Sequence, residues 1–180
     1  MSMEILERTL EDIIFQNSQN KKGREYLAQK GLLVPGKLYR QVELDGYGRL
    51  DLLSILLLNG DLHITIYELK REKVGMQTFI QSCRYMEALK NIVTFNTNKK
   101  AQFKIVLIGN GIKEDDGFAM LYNYLDFVTV VLYDYDMSGI NFHEKDKDYM
   151  VCDTLRPEKY KLPVSDIREM ITIDKIELGF

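Results

Sequence analysis

Two acids and a lysine stand where a buried strand pair should carry no charge. In the stretch GRLDLLSILLLNGDLHITIYELKRE, residues 48–72, two apolar runs read as buried strands. Asp51 interrupts the first, and Glu68, Lys70 and Arg71 close the second. Buried charges are expensive unless they are paired or coordinate a metal. Asn59-Gly60 between the runs is a strong hairpin signal, because both residues tolerate the positive φ of a type I′ turn. With Leu58 opposite Asp61, counting back along both strands sets Asp51 opposite Glu68, with Cβ atoms about 4.5–5.5 Å apart. Side chains alternate along a strand, so Lys70 shares the face of Glu68 while Leu69 points away.

Two carboxylates facing each other repel and cost stability. A divalent cation makes the arrangement worthwhile: Mg²⁺ takes oxygen ligands, commonly one or two carboxylates completed by phosphate and water. A lysine beside the metal then adds positive charge where a phosphate oxygen would sit. These parts suit hydrolysis of a phosphodiester, in which a metal activates the nucleophile and neutralises developing charge. A lone acid at a strand end is ordinarily a solvated terminus. An Asp facing Glu-x-Lys across a hairpin is much harder to obtain by accident. Arg71 reads equally well as an ordinary basic strand end.

The elements that must hold these residues follow from the apolar periodicity. Ile5, Leu6, Leu10, Ile13 and Ile14 give an amphipathic helix over 4–16, NSQNKKG breaks it, and a shorter helix follows near 23–30. LYRQVELD alternates as a strand over 38–45, and Gly46 and Gly48 turn the chain into the quoted strands. KVGMQTFIQSCRYMEALKNI predicts a helix over 76–92, and FKIVLIGNG a short buried strand. Asp115 and Asp116 offer an N-cap for a helix through Leu125, and FVTVVLYDYD is a further strand. The charged tail from 141 onward predicts a short helix at 164–171 and a last strand at 172–178. Helices alternating with strands after an initial meander imply an α/β fold, a central mixed sheet flanked by helices.

The pieces GRLD (48–51), ELK (68–70) and QSCRY (81–85) together resemble the PD-(D/E)XK nuclease superfamily, particularly its RecB-like and NucS-like branches. QSCRY looks like the glutamine-x-x-x-tyrosine motif on the helix after the E-x-K strand. The order helix, three strands, helix, strand over 4–110 also resembles the family's restriction-endonuclease-like core. One departure is that Leu50 stands where the family's proline precedes the aspartate. The resemblance implies Asp51 and Glu68 as ligands of Mg²⁺, with Mn²⁺ able to substitute. It implies Lys70 as the group that positions or activates water and stabilises the transition state. Gln81 and Tyr85 would support the site or the substrate, lying four apart on one side of their helix. Read without the family, they are the polar flank of a helix whose buried stripe is Phe79, Cys83 and Met86. Family members often place one more acid on the first helix, where Glu4, Glu7 and Glu11 are available. With the apolar stripe centred near Leu6 and Leu10, Glu7 borders its Ile14 edge, whereas Glu4 and Glu11 point further toward solvent. Glu7 is therefore the expected third acid and metal ligand, with Glu11 second.

Whole-chain properties narrow the function classes. With 180 residues, 46% hydrophobic and 28% charged, the sequence suits one globular domain of 1–180, with a nuclease-like core over about 4–111 and an extension over 112–180. A net charge of −3 argues against a broad basic surface but leaves room for a local phosphate-binding cluster. Cys83 and Cys152 lie far apart in no metal-ligand spacing, and the N-terminus is acidic without the basic start of a signal peptide, so a reducing, cytoplasmic location is expected. No apolar run is long enough to cross a membrane. GNGIKEDDG lacks phosphate-loop spacing. Tyr122, Tyr124, Tyr133 and Tyr135 could stack bases, but sheet packing is the commoner use. The expected function is a metal-dependent nuclease acting on DNA in repair, restriction or defence, its small size calling for a homodimer or a partner to cut both strands. The competing expectation is a catalytically silent module that binds nucleic acid or protein.

Overall fold

A computed structural model describes residues 6–147 of the chain, which belong to one compact unit ending at Lys147. The elements run α1 (Glu7–Ser18), α2 (Lys21–Gln29), β1 (Lys37–Leu44), β2 (Gly48–Leu58), β3 (Asp61–Leu69), β4 (Lys73–Val74), α3 (Met76–Asn96), β5 (Ala101–Gly109), β6 (Gly111–Ile112), α4 (Phe118–Tyr122), β7 (Val128–Asp136) and β8 (Gly139–Glu144). Six strands form one mixed sheet in the order β1-β2-β3-β5-β7-β8, and β4 and β6 form a separate two-stranded ladder. The β1-β2, β2-β3 and β7-β8 pairs are antiparallel, whereas β3-β5 and β5-β7 are parallel.

Alternation along the central strands sorts the core into two layers. Leu52, Tyr67, Leu69, Val106 and Ile108 pack with Leu10, Ile14 and Leu27 of α1 and α2. Leu53, Ile64, Ile66, Ile105 and Leu107 pack with Tyr85, Ala88 and Leu89 of α3 and with Phe118 and Tyr122 of α4. Strands covered on both faces need apolar residues at successive positions, which is why IVLI in β5 reads as a continuous run. The hairpin of β2 and β3 closes through Asn59 and Gly60 at φ 54 and 92, with Leu58 opposite Asp61.

The structure revises several expectations. The first helix spans 7–18 rather than 4–16. Leu6 is its N-cap and is exposed, and the buried residues are Leu10, Glu11, Ile14 and Ser18. The stripe is thus centred one turn later than expected, and Glu11 lies within it instead of facing solvent. The helix expected from Asp115 to Leu125 shrinks to five residues, because Gly117 at φ 79 precedes it. Asp116 does cap that helix, accepting from Phe118 N, but it also accepts from Met76 N and so caps α3, whose own N-cap residue is Gly75. On α3 the residues buried outright are Thr78, Ser82, Tyr85, Ala88 and Leu89, while Phe79, Cys83 and Met86 are half-buried beside them. The hairpin partner β8 was not expected. The strand expected at FVTVVLYDYD is β7, and β8 joins the main sheet beside it. Tyr122 and Tyr133 are buried in the core and Tyr124 is exposed. The helix expected at 164–171 and the strand at 172–178 lie outside the described residues, as do Glu4 and Ile5. No described helix is long and apolar enough to cross a membrane.

Candidate active site

The site forms where backbone pairing around β2 gives out. The β2-β3 ladder runs in constant register from Leu58-Asp61 to Leu52-Tyr67 and stops. Asp51 and Glu68 lie one position beyond the last paired residues, Leu52 and Tyr67, close enough for the Asp51 charge to act on the Glu68 carboxyl. Lys70 N donates to Ile108 O of β5, so Leu69 N faces β2, where Asp51 Oδ2 accepts it at 2.8 Å. The carboxylate thereby takes over the acceptor role of the missing ladder carbonyl. On the other side of β2, the ladder with β1 has a gap at Gln41 and Asp51. There Gln41 adopts φ 50 and turns its side chain toward α1, donating Nε2 to Glu11 Oε2 at 2.6 Å. A left-handed backbone costs a non-glycine residue about 1–2 kcal/mol, and a hydrogen bond to a buried carboxylate is of the size to offset it. Asp51 therefore sits in a local opening held from both sides.

Glu68 is almost fully buried. Lys70 Nζ donates to its Oε1 at 2.8 Å, whereas Oε2 is buried with no hydrogen-bond donor among the described residues. Burial, then the neighbouring Asp51 charge, pushes the Glu68 carboxyl up to about 7 despite the opposing ammonium of Lys70. Burial likewise raises Asp51. The Leu69 amide and Lys70 pull it back, while Glu7 and Glu11 add to the rise. For Lys70, burial works to lower the ammonium, but the Glu68 carboxylate outweighs it and Glu7 and Asp51 add to the effect, leaving the group above its ordinary value. Lys70 is thus a fixed cation at neutral pH.

Both candidate acids of α1 point toward this region, with different partners. Glu7 Oε2 accepts from Arg71 N at 3.4 Å. Glu11 is buried and charge-compensated, with Arg40 Nε 2.9 Å from its Oε1 and Gln41 on its Oε2. Glu7 remains the α1 acid that reaches the cleft. That cleft, of about 440 Å³, is lined by Glu7, Lys70 and Gln81 together with Arg71, Lys73, Thr78 and Lys113. Gln81 thus meets the site from α3. Tyr85 does not line the cleft: it is buried, accepts from Gln81 Nε2 at 2.7 Å and donates to Arg49 O at 2.9 Å. It ties α3 to the backbone two residues before Asp51 and so acts as a positioning residue. Tyr85→Phe should cost about 0.5–1.5 kcal/mol, because the Arg49 carbonyl loses its donor. Urea unfolding of the two proteins checks this, and equal midpoints would show that the bond carries no stability.

The donor set fits a divalent cation. Asp51, Glu68 and Glu7 all act electrostatically on Lys70, and Glu68 retains a buried oxygen with no donor among the described residues. Among the described residues no three His, Cys, Asp or Glu side chains are grouped so that they could hold a metal ion. The fit is therefore that of an ion held by one or two carboxylates and completed by water and phosphate, as Mg²⁺ commonly is. Reasoning from sequence did not single out Gln41, Lys73, Thr78 or Lys113. The run KREK over 70–73 was a signal for Lys73, whereas nothing local to Lys113 placed it near Lys70.

No family model matches the chain, and no curated protein matches it. Among solved structures, a repair endonuclease from Pyrococcus abyssi is similar at 20% identity with a TM-score of 0.45, over 72% of this chain and 47% of that one. The chain thus spans about half the length of that protein.

Proposed function

We propose that the chain is a Mg²⁺-dependent nuclease of the PD-(D/E)XK type, hydrolysing phosphodiester bonds in nucleic acid, with DNA the substrate that its motifs imply. One observation carries the reading: Glu68 is buried within electrostatic reach of Asp51, with one oxygen on the Lys70 ammonium and the other without a donor among the described residues. Apolar packing would be cheaper at such a position unless a cation completes it. Asp51 and Glu68 would hold the ion, with Glu7 the nearest further acid. A bound ion would supply Lewis-acid activation of water and charge neutralisation at the phosphate. Lys70, already protonated, offers its charge and its remaining N–H donors to a phosphate oxygen and does not serve as the base. Gln81 presents its amide to the same cleft while its Nε2 is anchored on Tyr85.

A second reading is a silent module that binds nucleic acid or protein on the same fold. It is favoured by the absence, among the described residues, of any three His, Cys, Asp or Glu side chains grouped so that they could hold a metal ion. Incubating supercoiled plasmid and labelled single-stranded DNA and RNA with the protein in Mg²⁺, in Mn²⁺ and in EDTA separates the two. The nuclease reading expects cleavage in either metal, none in EDTA, and none by Asp51→Asn purified in parallel. Intact substrates under every condition would leave the silent module.

A further inference from the structure

We propose that Lys73 and Lys113, carried by the small β4-β6 ladder, bind backbone phosphates of the nucleic acid beside the bond that is cut. The inference rests on the nuclease reading for the identity of its ligand, but on other residues for its evidence. β4 and β6 pair in parallel through only Lys73-Gly111 and Val74-Ile112, and the link is extended by Lys113 N donating to Val74 O at 2.8 Å. So short a ladder adds little to the sheet's stability, yet it brings together two lysines forty positions apart in sequence.

Glycines let the lysine stems lie flat. A Cβ on Gly111 would stand 3.2 Å from Cγ of Lys73, and one on Gly75 would stand 2.8 Å from Cδ of Lys113. Each stem therefore crosses a glycine of the neighbouring segment. Both side chains line the cleft that holds Glu7, Lys70 and Gln81. No carboxylate among the described residues is ion-paired with either, whereas Lys70 has Glu68 and Arg71 has Glu72 at 3.6 Å. In a chain of net charge −3, these two lysines line one cleft with Lys70 and Arg71, a local concentration of positive charge. Both lysines also line the adjoining cleft, together with Glu114, Asp115 and Asp116, so acids bound the basic stretch on that side. A phosphate chain would be drawn along the lysines and repelled beyond them.

The test is equilibrium binding of labelled DNA and RNA oligonucleotides of one sequence, single- and double-stranded, followed by anisotropy over a salt series. It is run in EDTA and again in Ca²⁺, a cation that also takes oxygen ligands. Wild type is compared with Lys73→Ala/Lys113→Ala and Lys73→Arg/Lys113→Arg. Each lysine on a phosphate adds roughly 0.7–0.9 to the slope of log affinity against log salt. The double alanine variant should therefore lose about 1.4–1.8 of slope, bind more weakly at low salt, and show its loss of cleavage in KM. The arginine pair should recover the slope. DNA or RNA as the better ligand identifies the substrate, and either supports the proposal. An unchanged slope in the alanine pair, with wild type cleaving, overturns this proposal and leaves the nuclease reading intact. Loss of slope with no cleavage by wild type in any metal does the reverse. No binding by wild type in either buffer overturns both.

Discussion

Replacing Lys70 by alanine should lower the rate of phosphodiester cleavage by about 10²–10³, the usual consequence of deleting one well-placed electrostatic group. The geometry makes this loss specific. Lys70 Nζ sits 2.8 Å from Glu68 Oε1, and the surrounding carboxylates hold the ammonium protonated. Its contribution is a fixed charge that needs no reorganisation when charge develops on the phosphate. The same change should not weaken Mg²⁺ binding above neutral pH, because removing a cation makes the carboxylate pair more attractive to a metal. Below neutrality the outcome differs: Glu68 without its ammonium holds its proton more tightly, so metal affinity falls more steeply with acid than in wild type. Single-turnover cleavage at saturating Mg²⁺, paired with calorimetric titration of Mg²⁺ near pH 8, reads both quantities. A rate within threefold of wild type, or abolished metal binding with the rate lost, would each show that Lys70 does something else.

The site was legible where one periodicity governs the answer. A two-residue Asn59-Gly60 turn admits one hairpin register, and the β2-β3 ladder keeps it as far as Leu52-Tyr67, one position short of Asp51 and Glu68. Facing directions failed where the stripe of a helix had to be centred from a few residues. Leu6 is apolar but caps α1 at its exposed end, so counting it shifted the stripe by a turn and sent Glu11 to solvent. Glu11 is buried because Arg40 and Gln41 meet it from β1, a partnership visible only in three dimensions. Tyr85, expected to support the site or the substrate, is buried instead, and a hydroxyl is tolerated in a core only if both its roles are filled. Gln81 and the Arg49 carbonyl fill them. Strand β8 was missed because NFHE alternates weakly and its turn, with Asp136 accepting from Ser138 N and Oγ, resembles an acidic loop. Lys113 was beyond reach in principle, because the contact that places it is a two-residue parallel pairing across an intervening helix and strand.

The neighbouring carboxylates make the largest stability prediction, and its sign can be worked out. Burial and Asp51 raise the Glu68 carboxyl from 4.5 to about 7 in the folded chain, and Asp51 is raised as well. A group whose folded value is raised contributes stability that is complete below its unfolded value and lost as pH rises through the folded one. Metal-free protein should therefore lose stability between about pH 4.5 and 7, by on the order of 2–3 kcal/mol. Asp51→Asn removes the neighbouring charge, while its amide oxygen can still accept from Leu69 N. In EDTA at pH 8 this variant should melt several degrees above wild type, at roughly 2–4 °C per kcal/mol for a chain of this size. Its melting temperature should also depend less on pH, although burial still raises Glu68. Mg²⁺ should reverse the order. An ion bound only by the folded state stabilises by about 2.7 kcal/mol at a hundredfold excess over its dissociation constant, and only wild type retains both ligands. Melting curves of the two proteins in EDTA and in Mg²⁺, from pH 5 to 8, separate the terms. Equal stabilisation of both by Mg²⁺ would mean that the ion binds elsewhere, and the repulsion between Asp51 and Glu68 would then have no metal to explain it.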